Sequence, residues 1–161
     1  MNRVHKWRRL DGRPIRRPIE EEVRMTILKE LACGHQLQVS IGTDSQVKGG
    51  DTAFATVIVF LRKGKGGFLF ISSETLRRPM TVKERMLEEV ARSIEVAYAL
   101  ADVFARYGLP VEVHADINPD PKFRSNEALK EAMGYIMGMG FAFRAKPHAF
   151  ASSSCANKIV Q

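Results

Sequence analysis

The chain has 161 residues, of which 45% are apolar and 27% are charged, and this size and composition fit one globular domain. Its formal net charge of +7 creates a positive field that favours polyanions such as nucleic acid. The two cysteines lack the dense spacing of a secreted disulfide scaffold, and no apolar run reaches the roughly 18 residues of a membrane span. These features argue against a secreted disulfide protein and a membrane protein, and they predict a cytoplasmic location.

Residues 1–17 are predicted to form a basic, extended arm ahead of a single domain at residues 18–161. The arm is rich in Arg and is interrupted by Gly and Pro, without a helical or strand period. Trp7 lies among basic residues, where it either stacks on a nucleic-acid base or tethers the arm to its own domain. Pro18 and three following glutamates then predict a helix that ends near residue 32.

Three strand-like runs follow in close succession, at residues 38–44, 53–62 and 67–73. The connectors "KGGD" and "KGKGG" are short and rich in glycine, which is typical of β-hairpins. A sustained 3.6-residue apolar period then predicts a long helix that ends at Gly108. The remaining predicted elements are a strand at 111–115, a helix from Ser125 to about residue 139, a strand at 141–146 and a short final helix that begins at one of the serines 152–154.

Two of the predicted strands end in an aspartate, Asp44 in "IGTDSQ" and Asp116 in "VHADIN". Each aspartate alone has an explanation as a turn residue, Asp44 before Gln46 and Asp116 before Asn118-Pro119. As a pair, they end two strands that a mixed sheet can place side by side. Because carboxylate oxygens bind hard divalent cations, the pair predicts a site for Mg²⁺ or Mn²⁺.

The long helix offers a third carboxylate from Glu84, Glu88 or Glu89. Glu84 is three residues after Thr81, where a capping box explains it. Glu88 points nearly opposite the apolar stripe, so it is expected in solvent. Glu89 lies at the edge of the stripe and, from the rise per residue of helix and strand, near the level of Asp116. Glu89 is therefore the predicted ligand, with Glu84 as the alternative.

The order of elements requires a mixed sheet, because hairpins give antiparallel pairs and helical crossovers give parallel ones. The ribonuclease H fold has this order, and the likeness covers residues 38–160. The segments "IGTDSQ", "SSETLRRPMTVKERMLEEV", "VEVHADINPDPKFRSN" and "KPHAFASSSCANK" resemble the YkuK-type ribonuclease H-like family of bacteria. The resemblance implies an α/β fold with a mixed five-stranded sheet, β-β-β-α-β-α-β-α, and an added N-terminal helix. It also places His148 at the flexible-histidine position and Asn157 where the last aspartate of the fold would stand.

The resemblance and the carboxylates together predict a metal-dependent nuclease that hydrolyses RNA, RNA–DNA hybrid or structured DNA with two metal ions. The predicted metal ligands are Asp44, Glu89, Asp116 and Asn157. The predicted catalytic residues are Asp44, Glu89, Asp116 and His148. Asn157 can bind a cation through its amide oxygen but adds no negative charge. The alternative is a catalytically degenerate module of the same fold that binds nucleic acid or a protein partner, and a homo-oligomer is left open.

Overall fold

The structure, a computed structural model, describes residues 5–117 and 126–161, with the side chains of 5–117 and 130–161. The strands of the described residues are β1 (Trp7–Arg9), β2 (Leu37–Lys48), β3 (Asp51–Arg62), β4 (Gly67–Leu76), β5 (Val111–Ala115) and β6 (Ala142–Arg144). The α-helices are α1 (Ile19–Ala32), α2 (Val82–Arg106), α3 (Asn126–Gly138) and α4 (Asn157–Val160). A π-helical segment, Ala151–Ala156, runs directly into α4, and residues 151–160 are called the C-terminal helix below.

The strands form one mixed sheet in the order β1-β4-β3-β2-β5-β6. The pairs from β1 to β2 are antiparallel, whereas β2-β5 and β5-β6 are parallel. The parallel pairs follow the crossovers through α2 and α3, because a helical connection returns the chain in the same direction. The α/β class, the mixed sheet and the order β-β-β-α-β-α-β-α after an N-terminal helix are therefore confirmed.

The predicted number of strands is wrong, since the described sheet has six strands and not five. The additional strand is β1, inside the segment expected to be an extended arm, and it pairs with the edge of β4 with Trp7 opposite Ser72. The Trp7 side chain is 6% exposed and packs in the main core, which agrees with its tethering interpretation. A strand of three residues is too short to show an alternating pattern in the sequence. Its pairing depends on the free edge of β4, which is a tertiary contact. The domain division at residue 17 stays a prediction.

Helices cover both faces of the sheet. On one face, α1, α2 and α3 pack around a core that includes Ile58 and Phe60 of β3. On the other face, the C-terminal helix packs against Val57 and Val59. Since successive residues of a strand point to opposite faces, this two-sided cover explains why β3 is buried along most of its length. Within the described ranges, every helix is too short or too polar to cross a lipid bilayer.

The C-terminal helix begins differently from the prediction. Its N-cap residue is Phe150, without a side-chain cap, and Ser152 Oγ donates to the Ala149 carbonyl at 3.1 Å. The expected serine cap is therefore wrong. The other predicted cap, Ser125, and the predicted turn at residues 118–119 lie outside the described residues.

Candidate functional site

Asp44 and Asp116 follow the last paired residues of two neighbouring parallel strands. β2 and β5 pair as far as Thr43 opposite Ala115, so each aspartate is the next residue along its chain. The carboxyl ends of parallel strands lie at the same edge of a sheet, and β2 continues to Lys48 without β5 beside it. The two aspartates therefore lie side by side where the parallel pairing stops.

The C-terminal helix contacts both aspartates. Asn157 Nδ2 donates to Asp44 Oδ2 at 2.7 Å, and Ser153 Oγ donates to Asp116 Oδ1 at 3.0 Å. Because residues four apart share a helix face, both carboxylates point towards the same face of this helix. Asn157 Oδ1 accepts from Gln161 Nε2 at 2.7 Å. The amide of Asn157 must therefore turn over before its oxygen can face a cation beside Asp44, and its role as a ligand stays a prediction.

Lys146 and His148 lie in the loop after β6. Lys146 Nζ is 2.9 Å from Asp116 Oδ1, and the Lys146 backbone N–H donates to the Ile117 carbonyl at 3.2 Å. The His148 side chain is exposed, and its backbone N–H donates to the Ala145 carbonyl at 2.8 Å. The loop thus brings a lysine ammonium, and not the predicted histidine ring, onto an aspartate. The catalytic role of His148 stays a prediction.

Glu89 approaches the site from the other layer of the fold. Its side chain is 3% exposed and accepts a hydrogen bond from Ser45 Oγ. Thr43 Oγ1 lies 2.7 Å from Ser93 Oγ of α2, so both Thr43 and Ser45 face α2. Asp44 lies between them in the strand and therefore faces the C-terminal helix. Glu89 and Asp44 come from opposite faces of the sheet.

Glu84 and Glu88, the other two glutamates considered as ligands, contact basic neighbours. Thr81 Oγ1 accepts from the Glu84 N–H at 3.2 Å, as in a capping box, and Arg78 donates to the Glu84 carboxylate at 3.3 Å. Arg92 Nε donates to Glu88 at 3.1 Å. Both glutamates are more exposed than Glu89. The Glu84 contact lies on the exposed surface, whereas Glu88 pairs with the buried guanidinium of Arg92.

Burial and neighbouring carboxylates raise the proton affinity of Glu89 and Asp44. Burial holds the pKa of Glu89 well above its usual value, and the negative charges of Asp44 and Asp116 raise it further. Burial also raises the pKa of Asp44, against the opposing hydrogen bond from Asn157. Arg85, which donates to the β2 backbone at 3.1 Å, lowers both pKa values and so offsets part of the effect. Such mutual repulsion is relieved when a cation binds.

His114 anchors the start of the C-terminal helix. The ring is 1% exposed, the Ala151 N–H donates to His114 Nδ1 at 3.2 Å, and His114 Nε2 lies 3.2 Å from Glu112 Oε1. Since Nδ1 accepts, the proton of the neutral ring is on Nε2 and is donated to Glu112. Burial lowers the pKa of His114, which favours this neutral form. His114 thereby positions the helix that carries Ser153 and Asn157.

Sequence reasoning missed four residues that contact the candidate site or position its helix: Ser45, His114, Lys146 and Ser153. The spacing of Ser153 four residues before Asn157 was a usable signal, because it places both on one helix face. The period of two in β2 likewise places Ser45 on the side of Thr43. Nothing in the sequence pattern places Lys146 beside Asp116.

The two aspartates are the oxygen donors of this region that match the predicted divalent cation. Mg²⁺ prefers oxygen ligands and commonly binds through one or two carboxylates while keeping several waters, and Asp44 and Asp116 supply such a pair. Among the side chains of 5–117 and 130–161, no group of three or more His, Cys, Asp or Glu residues is arranged to hold a metal ion. Among the described residues, Glu89 is therefore not gathered into a three-carboxylate set with the two aspartates.

Comparison with known proteins defines the class. A family model described as "Ribonuclease H-like" matches residues 20–161, and the chain belongs to this ribonuclease H-like family. It is similar to "Uncharacterized protein YkuK" of Bacillus subtilis (strain 168), with 32% identity over an alignment of 137 residues that covers 76% of this chain and 78% of the relative. The YkuK-type resemblance found in the sequence is thereby confirmed.

Two solved structures also match. The crystal structure of RNase H1 from the halophilic archaeon Halobacterium salinarum NRC-1 has a TM-score of 0.38 and 17% identity, over 76% of this chain and 98% of that chain. The N-terminal RNase H domain of Rv2228c from Mycobacterium tuberculosis, as a fusion with maltose-binding protein, has a TM-score of 0.39 and 12% identity, over 78% and 94% of the two chains. Because both TM-scores are low, family membership rests on the sequence matches.

Proposed function

We propose that this protein hydrolyses phosphodiester bonds of RNA, RNA–DNA hybrid or structured DNA with Mg²⁺ or Mn²⁺ bound at Asp44 and Asp116. One observation carries the proposal: the two aspartates directly follow the last residues that β2 and β5 pair, and both accept hydrogen bonds from one face of the C-terminal helix. The ribonuclease H-like family membership supports a nuclease-like module.

In this proposal, some side chains bind the cation and others orient the carboxylate oxygens. Asp44 and Asp116 hold the cation, which when bound activates water and stabilises the leaving oxygen. Asn157 and Ser153 each donate to one oxygen of an aspartate, so they fix the direction of the other oxygen. Burial and the charges of Asp44 and Asp116 favour the protonated form of Glu89, so a cation that binds nearby would favour its ionised form.

The surroundings support a nucleic-acid substrate. The net charge of +7 attracts phosphate backbones. His148 is exposed in the loop beside the site, where an imidazole can exchange a proton with the departing product. The free thiols of Cys33 and Cys155 support the proposed cytoplasmic location, since cytoplasmic thiols stay reduced.

The test is Mn²⁺ binding by isothermal titration calorimetry. Asp44→Asn and Asp116→Asn each remove an anionic ligand while keeping the side-chain shape, so each should weaken binding at least about tenfold, or about 1.4 kcal/mol. Asp51→Asn is the matched control, because Asp51 is exposed at the turn between β2 and β3. Unchanged Mn²⁺ affinity in both site variants would refute the proposed cation site.

A second candidate function is a degenerate module that binds nucleic acid without cleaving it. Two residues favour this non-cleaving module. Asn157 is neutral and directs its amide N–H to Asp44, and the Lys146 ammonium forms an ion pair with Asp116. A labelled RNA–DNA hybrid distinguishes the two functions. The nuclease requires Mn²⁺-dependent cleavage that Asp44→Asn abolishes, whereas the module binds the hybrid equally with and without Mn²⁺ and leaves it intact.

A further inference from the structure

We infer that Lys146 supplies the second positive charge of this site, so that the site takes one divalent cation where the sequence predicts two. The inference rests on the proposed function, because it concerns the cation at Asp44 and Asp116. Its starting point is the 2.9 Å contact between Lys146 Nζ and Asp116 Oδ1. An ammonium group is thus already paired with one of the two candidate ligands.

The contacts of Asp116 leave room for one cation. Among the described residues, both the Lys146 ammonium and the Ser153 hydroxyl contact Asp116 Oδ1. Asp116 Oδ2 is therefore the oxygen that remains for a metal ion. On Asp44, Asn157 Nδ2 contacts Oδ2 and the Ser45 backbone N–H contacts Oδ1 at 2.9 Å, so this carboxylate is also partly engaged.

The position of Lys146 is fixed by its backbone and not by the ion pair alone. Its N–H donates to the carbonyl of Ile117 at 3.2 Å, which holds the residue beside the end of β5. This matters because an exposed ion pair contributes little by itself, and the Lys146 side chain is 45% exposed. The backbone contact therefore places Lys146 where its ammonium group reaches Asp116.

The balance of charge on this face disfavours a second divalent cation. Asp44 and Asp116 carry two negative charges there, whereas Asn157 is neutral and Glu89 comes from the opposite face. One divalent cation together with Lys146 already exceeds that negative charge. A further cation would be repelled by both positive groups at short range, where Coulomb energies are largest.

The remaining donors of Lys146 have a use in the proposed reaction. An ammonium group has three N–H donors, of which one faces Asp116 Oδ1. The others can contact a phosphate oxygen of a substrate held at the aspartates. Lys146 would then stabilise negative charge that a second metal ion stabilises in two-metal sites.

The test is the number of Mn²⁺ ions bound per chain, measured by calorimetry and by equilibrium dialysis with metal analysis. Wild type should bind one ion. Lys146→Met removes the charge, keeps the side-chain length and should bind two Mn²⁺ ions. The second ion should bind at least about tenfold more tightly than any second ion binds to wild type. Lys146→Arg keeps the charge and should bind one. Lys65→Met, in the exposed turn between β3 and β4, is the matched control and should also bind one.

Two ions in wild type would overturn the inference and leave the proposed function standing, and this count needs no variant to fold. One ion in Lys146→Met with an unchanged affinity would overturn it as well. No Mn²⁺ in either wild type or Lys146→Met would instead refute the cation site of the proposed function itself, and the inference with it.

Discussion

Gly42 provides a way to move the C-terminal helix without changing any residue of the candidate site. It lies in β2 where that helix crosses the sheet. A Cβ added at Gly42 would lie 2.5 Å from Ser152 N, 2.7 Å from Ala151 C and 2.9 Å from Ala151 Cβ. Two of these atoms belong to the backbone, so no rotamer change can relieve the clash. Gly42→Ala must therefore displace the helix that carries Ser153 and Asn157.

The size of the effect follows from this geometry. Overpacking of this kind costs about 1–3 kcal/mol, and for a chain of this length each kcal/mol lowers the melting temperature by about 2–4 °C. Displacing the helix weakens the hydrogen bonds of Ser153 and Asn157 to the two aspartates, and the loss of such outer partners typically costs about 10–100-fold in metal affinity. We therefore expect Gly42→Ala to remain folded, to melt at a lower temperature and to bind Mn²⁺ at least about tenfold more weakly.

Gly67→Ala is the matched control, since its added Cβ would lie 2.4 Å from the Phe60 carbonyl oxygen. Gly67 pairs with Leu61, six residues along β3 from Ala55, the partner of Asp44, and this corresponds to about 20 Å. It should destabilise the fold to a similar degree and leave Mn²⁺ affinity unchanged. If Gly42→Ala loses stability but binds Mn²⁺ like wild type, the helix contact does not hold the site. Equal weakening by both variants would show only a global effect.

Two further predictions concern the positioning histidine and the first strand. The pKa of His114 is lowered in the folded protein. Its contribution to the free energy of unfolding is therefore complete above about pH 6.5, the pKa of an unfolded histidine. As the pH falls from there towards the lower pKa of the folded state, this contribution is lost by at most about 1.4 kcal/mol per pH unit. Urea unfolding at pH 8 and pH 5, on either side of roughly 6.5, should therefore show a smaller difference in unfolding free energy between wild type and His114→Asn at pH 5. A difference that stays constant would contradict this expectation. Trp7→Ala should lower the free energy of unfolding by about 3 kcal/mol, because the Trp7 side chain is buried. Leu10→Ala, at an exposed residue, is the control. An equal loss in both variants would show that β1 adds no stability.

The order of strands and helices was predictable because the sequence carries it locally. The connectors are rich in glycine, α2 has a sustained apolar period, and each of the two aspartates follows a β-branched run. The tertiary partners of these elements were not predictable in the same way. Strand β1 exists because β4 offers a free edge, and Lys146 reaches Asp116 because its loop lies beside the end of β5. Both contacts join residues far apart in sequence, where local patterns carry no signal.

The place where β5 ends explains why so many polar groups are buried together. From Val39 to Thr43, β2 pairs on both sides, but from Asp44 onwards no strand of the described residues pairs with it on the side towards β5. Polar side chains from both layers meet around this point, and Asp44, Ser45 and Glu89 are all buried. Burying carboxylates is costly, and burial raises the pKa of Asp44 and Glu89 although the charge of Arg85 offsets part of the effect. The cation of the proposed function would relieve the repulsion between these carboxylates on binding, whereas apolar residues at the same positions would avoid the cost altogether.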